Sequence, residues 1–277
     1  MASLAIHLRP GANPQSITRL IHLLATEDLR FATAQELIEF AASEQLGSYA
    51  ELNTVPSSME LLEKTKEGIG LSELGYTFNK LRDDVRADVL HFLMYSGWNE
   101  AEPRNFLPSW TYRYLCNEHW EKAEIDLTSD FLDRQVEATI NHARQTFEGI
   151  DVGPFDEISF SLKSLQGFYN WLGALEPAVI EEDTFTRRAF CSPELLLLAI
   201  GYVMKDVDGA TDTDILLSRE KRDAICRLCL LEPEALDRAL DWMIPIYPNV
   251  IKPGTSAGYY GRFVRLVKIP TLADVVR

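Results

Sequence analysis

The chain has 277 residues, 27 lysines and arginines against 42 aspartates and glutamates, hence a formal charge of -15, with 46% hydrophobic and 25% charged residues. That composition belongs to folded domains, which excludes disordered, collagen-like and low-complexity readings as well as a strongly basic wrapper of nucleic acid. With no apolar run near the ~18–20 residues that span a bilayer, and no signal-peptide zones in Met1 to Pro10, a cytoplasmic protein of about two domains is expected.

Asn13 and Pro14 cap and open a first helix over about 14–25, whose Ile17, Leu20, Ile21 and Leu24 share one face. Thr33 and Glu36 form a capping-box pattern before Leu37, Ile38 and Ala41; Ser57 and Glu60 repeat it before Leu61 and Leu62. Two more helices are therefore predicted, the third ending near Lys64, with Glu67 to Gly75 as a tight hairpin. A longer helix over about 79–95 carries Val85, Val89, Phe92 and Leu93 on one face. Trp98, Phe106, Trp110, Tyr112, Tyr114 and Trp120 then crowd a connector predicted to be irregular before Pro108 and helical after it. A helix over about 129–147 closes at Gly149, and the Gly, Pro and acidic residues of 149–154 mark a domain boundary, dividing the chain into 1–150 and 151–277.

In the second half Leu165, Phe168, Tyr169 and Leu172 take helical spacing, and a short strand is predicted around Ala178 to Glu181. Ser192 and Pro193 open a helix that is apolar nearly all round, as expected of a buried one. After a polar loop from Asp206 to Asp214, Ser218 begins a helix through Cys229, and Pro233 begins another with Leu236, Ala239, Leu240 and Met243 on one face. Ile246 to Lys252 and Tyr259 to Lys268 read as two strands joined across Pro253 to Gly258.

On this order of elements, residues 14–78 and 193–269 each resemble a winged-helix module, three helices followed by a hairpin. The fold class this implies is mainly α, with two winged-helix-like modules in tandem joined by a helical, Trp-rich connector. Helix-turn-helix geometry of this kind serves DNA binding in some proteins and partner binding in others, so the resemblance alone does not choose a function.

The motifs that carry enzyme chemistry find no supporting context. Gly254-Thr255-Ser256-Ala257-Gly258 matches a nucleophile elbow, yet a strand is predicted after it and no histidine follows His142, so it reads as a hairpin tip. Cys116-x-x-His119 and Cys226-x-x-Cys229 offer four zinc-type ligands, but the second pair lies in an apolar helical run, and buried thiols in a reducing compartment are expected instead. Asp206, Asp208, Asp212 and Asp214 suggest a calcium loop in the wrong register, with Thr211 and Leu217 where glycine and glutamate belong. No phosphate loop, metal helix or dinucleotide fingerprint occurs, and no metal or cofactor is expected.

Charge is uneven along the chain. Residues 252–277 hold five cations and one carboxylate. Lys252, Arg262, Arg265 and Lys268, with Tyr259 and Tyr260, are the candidate nucleic-acid contacts, cations for phosphate and tyrosines for phosphate or base stacking. The predicted recognition helix carries Glu232, Glu234, Asp237 and Asp241 against Arg238, which disfavours major-groove docking. Trp98, Trp110 and Trp120 are candidate partner-binding residues, either filling the junction between domains or exposed as an anchor for a basic partner.

The leading expectation is a non-catalytic winged-helix adaptor, a protein subunit of a larger nucleic-acid-handling assembly in a prokaryotic-type cytoplasm, touching double-stranded DNA weakly through its C-terminal wing and no membrane. The alternative is a sequence-specific dimeric transcriptional regulator, which an exposed basic face formed by Lys64, Lys66 and Asn53 would favour. A third is an enzyme with a spatially assembled acidic or Cys/His site, which a pocket gathering His119, Cys116 and carboxylates would favour.

Overall fold

The computed structural model describes residues 3–207, 209–211, 213–254 and 261–276. After a short strand β1 (Ser3–Ala5), Asn13 caps α1 (Pro14–Glu27) by accepting from the Ser16 N–H at 2.9 Å, and Ile17, Leu20, Ile21 and Leu24 are buried as their spacing predicts. Thr33 caps α2 (Ala34–Ser43), followed by α3 (Glu51–Ser58). The third helix thus ends earlier than the sequence pattern suggests. Ser57 lies in its last turn, and Glu60 takes a left-handed backbone with φ of 60°, so no capping box forms there. The chain turns instead into β2 (Leu62–Thr65), which pairs antiparallel with β3 (Gly68–Leu71), Leu62 opposite Leu71 and Thr65 opposite Gly68. Gly68 has φ of 122°, and a Cβ there would meet the Phe31 carbonyl oxygen at 2.5 Å; that approach lets Phe31 bridge Ile69 beside the hairpin.

Next come α4 (Glu73–Asn79), α5 (Asp83–Ser96) and α6 (Leu107–Lys122). The helix predicted over 79–95 is α5, which starts at Asp83, while α4 is a further short helix where the predicted hairpin would end at Gly75, and Pro108 opens the connector helix as expected. Strand β4 (Glu124–Asp126) leads to α7 (Ser129–Phe147), capped by Thr128. Strand β5 (Glu157–Ser159) pairs in parallel with β1 across the predicted boundary, Leu4 opposite Ile158, and one cluster of buried apolar side chains runs through both halves.

Beyond it lie α8 (Leu162–Leu172), β6 (Ile180–Glu181) and β7 (Thr184–Thr186), the last pairing with both β6 and β4. Ser192 caps α9 (Pro193–Met204), in which every residue from Leu195 to Ile200 is buried. The polar loop ends in β8 (Asp214–Leu216), a strand the sequence does not announce. Ser218 caps α10 (Arg219–Cys229); a 3-10 turn, Pro233–Ala235, leads into α11 (Leu236–Met243), whose Leu236, Leu240 and Met243 are wholly buried, with α11 packed on α9. Ile246 ends a second 3-10 turn, Ile244–Ile246, so the strand predicted over Ile246 to Lys252 begins only at Ile251. β9 (Ile251–Pro253) and β10 (Phe263–Leu266) are antiparallel, and β8 joins the far edge of β10. A last turn, α12 (Leu272–Val275), packs on α4. The protein is mainly α with small sheets, and no helix among the described residues is long and apolar enough to cross a membrane.

Candidate partner-binding face

Three of the four C-terminal candidate cations, Arg262, Arg265 and Lys268, face carboxylates of their own half of the chain. Arg262 lies 2.7 Å from Asp241 of α11, Arg265 lies 2.9 Å from Asp214 of β8, and Lys268 pairs with Asp274. Register explains the second pair: Arg265 stands opposite Asp214 on one side and Lys252 on the other, so one row across the sheet reads carboxylate, guanidinium, ammonium. Lys252 is exposed. Tyr259 and Tyr260 lie outside the described residues, as do Thr255 to Gly258 of the serine motif.

The connector tryptophans are interior. Trp98, Trp110 and Trp120 are 6%, 5% and 5% exposed, which leaves none of them as an exposed anchor. The Trp98 indole N–H donates to the Pro103 carbonyl at 3.2 Å, and Trp110 stacks on His142 with centroids 5.5 Å apart and meets Phe147, tilted, at 4.7 Å. Trp120 donates to the Leu231 carbonyl at 2.9 Å and is flanked by the guanidinium groups of Arg187 and Arg227, 4.5 and 4.7 Å from its ring.

The four zinc-type residues do not converge. His119 bonds the Tyr169 hydroxyl at 3.0 Å through Nε2, Cys116 bonds Tyr112, and Cys229 bonds Cys191. Among the described residues no group of three or more His, Cys, Asp or Glu side chains is placed to hold a metal ion. Burial pushes the Cys116 and Cys229 thiols well up and Cys226 to about 12, so all three are neutral at neutral pH and poor nucleophiles. His119 and Cys116 are both fully buried.

A buried polar network occupies that region instead. Asp88 of α5 accepts from Arg188 Nη1 at 2.8 Å and from the Ser192 N–H at 3.0 Å, which ties α5 to the cap of α9. Arg188 Nε donates to the Cys229 carbonyl at 2.8 Å, and His91 donates through Nε2 to the Leu228 carbonyl at 2.6 Å. Since that carbonyl can only accept, His91 Nδ1 is the acceptor for the Tyr112 hydroxyl, 2.8 Å away. The last carbonyls of α10, orphans of any helix end, are thus satisfied by side chains from distant elements. The network is a structural latch joining α5, α6, α9 and α10.

What the surface does present is an aromatic pair, Trp242 of α11 and Phe190 from the segment before α9. Trp242 is 63% exposed and Phe190 41%, their rings edge-on with centroids 5.7 Å apart. They border a cleft of about 480 Å³ that Asp84, Glu176, Glu194 and Arg82 also line. Sequence reasoning did not single out either ring. A signal for Trp242 existed, because Leu236, Ala239, Leu240 and Met243 define the inward face of α11 and position 242 falls off it. At the first hairpin, Lys64 and Lys66 are exposed but stand among Glu63 and Glu67, both near Arg30, and Asn53 is half-buried, so no basic face forms. The chain matches no family model, no curated protein and no solved structure.

Proposed function

We propose that this chain is a non-catalytic cytoplasmic adaptor of two winged-helix-like modules, which docks a protein partner within a nucleic-acid-handling assembly and touches duplex DNA only weakly, through its C-terminal wing. The order of elements supports the modular part. Each half runs helix, short extended segment, two helices and an antiparallel hairpin, with Phe31 bridging the first hairpin and β8 joining the second. In this reading α3 and α11 hold the recognition-helix positions.

The observation that carries the functional part is the character of α11 and its wing. Asp237 and Asp241 of α11 pair with Arg222 and Arg262, so the wing cation nearest the helix is neutralised within the module. Phosphate is repelled by such a face, whereas an exposed tryptophan is a common anchor in protein interfaces.

The test is anisotropy of a labelled DNA duplex across a salt series. Binding should be weak, with a log–log salt slope no steeper than about -4, since four cations release at most about 0.9 counterions each. Arg262→Ala with Arg265→Ala should abolish it and shift melting little, because half-exposed ion pairs contribute about 0–1 kcal/mol. No binding by the parent chain would remove the wing contact and keep the adaptor. Tight, sequence-selective binding would replace the adaptor with the regulator.

A further inference from the structure

Four large apolar side chains are exposed among the described residues, Leu162, Phe190, Leu216 and Trp242, and two of these form the aromatic pair on the cleft. The cleft is also acidic. Arg82, the one cation among its described lining, lies 3.2 Å from Asp84 and 3.8 Å from Glu194, and so is already matched, while Glu176 adds a further carboxylate. Glu194 is buried and accepts from the Tyr247 hydroxyl at 2.9 Å, so it belongs to the built wall of the cleft. Asp84 is 60% exposed and accessible to an incoming group.

The fold contains an internal example of the chemistry such a site would use. Trp120 is flanked by Arg187 and Arg227, and each guanidinium also meets a carboxylate, Glu232 at 3.3 Å and Glu121 respectively. An indole between carboxylates accommodates a guanidinium well, because the planar cation stacks on the ring while its edge donates to oxygen. Trp242 is an exposed indole that lines one cleft with Asp84, Glu176 and Glu194.

We propose that the Phe190–Trp242 cleft docks an arginine-bearing peptide segment of a protein partner. The guanidinium stacks on Trp242 and pairs with Asp84 and Glu176, and an adjacent aliphatic side chain lies against Phe190. A second copy of this chain is a poor occupant, since both surfaces would carry the charge of a chain at -15. Arginine is favoured over lysine by its flat, weakly hydrated head.

The inference rests on the adaptor reading, and its probe is separate from the DNA assay, so the two fail independently. The probe is a fluorescein-Gly-Leu-Arg-Leu-Arg-Gly-amide peptide, labelled on its N-terminal amine and titrated with the full chain. Binding should weaken with salt, and Trp242→Ala should weaken it by about tenfold or more, as loss of an interface anchor does. Asp84→Asn with Glu176→Gln should weaken binding and flatten its salt dependence, and a peptide with glutamates in place of the arginines should not bind. Because Trp242 is mostly exposed, its variant should melt with the parent, and melting curves check this. The inference is overturned if no binding occurs at millimolar peptide, if the glutamate peptide binds equally, or if Trp242→Ala binds as the parent does. It is likewise overturned if the parent sediments as a dimer that Trp242→Ala dissociates, which would make a second copy the occupant.

Discussion

Asp88→Ala should destabilise the fold by about 3–5 kcal/mol, measured by urea unfolding at neutral pH, because it leaves the Arg188 guanidinium buried without its counter-charge. Arg188 is fully buried and Asp88 is 2% exposed as side chains, so solvent cannot take the lost partner's place. The guanidinium beside Asp88 holds that carboxyl below its usual range against the opposing effect of burial. Arg188→Met should cost a similar amount, since it strands the Asp88 carboxylate and the Cys229 carbonyl. The double replacement Asp88→Ala with Arg188→Met should recover most of either single loss. Two desolvated charges disappear together, and one arm of the guanidinium, Nη2, has no hydrogen-bond acceptor among the described residues to lose. Additive single and double costs would show that the pair does not act as a unit.

Lowering the pH from 7 to 4.5 should remove about 5 kcal/mol of stability through two buried histidines, on top of any general acid effect. Burial, with Arg188 nearby, lowers His91 to about 4, with Asp88 opposing; burial and Lys122 lower His119 to about 3. Both groups are neutral in the folded chain, while an unfolded histidine titrates near pH 6.5. Between about pH 6.5 and 4 the unfolded chain therefore binds protons that the folded chain does not. Stability is full above that window and falls by about 1.4 kcal/mol per pH unit per histidine within it. His119→Phe keeps an aromatic ring against Phe131, Tyr169 and Phe185 and removes one titrating site. The difference in pH slope between parent and variant should correspond to one proton across pH 5–6. Equal slopes would mean that His119 protonates without unfolding.

The helix starts were legible because their causes lie within four residues. Asn13 with Pro14, Ser192 with Pro193, and Ser218 each cap the helix they announce, and the inward faces of α1 and α11 follow from spacing alone. Local signals misled at Ser57 and Glu60, where a capping-box pattern gave way to a left-handed turn, because Leu62–Thr65 gains a ladder with β3 and Phe31 joins its far strand. Strands of three residues were largely silent. β8 exists because β10 lies beside it, and β1 because β5 does, and neither partner is near in sequence.

For the site, composition alone revealed that the chain is acidic and that its last segment is basic. Only the tertiary structure decided what those charges meet. Strand register sets Arg265 beside Asp214, and helix packing sets Arg262 against Asp241, so a basic tract in the sequence becomes a row of internal ion pairs. The same holds for the aromatics: three tryptophans of one segment turn inward, while Trp242 meets Phe190 from 52 positions earlier on the surface. Amphipathic periodicity says which side of a helix faces in; which distant side chain waits there depends on burial and pairing that act through space, as in the Asp88–Arg188 pair that spans 100 residues of chain.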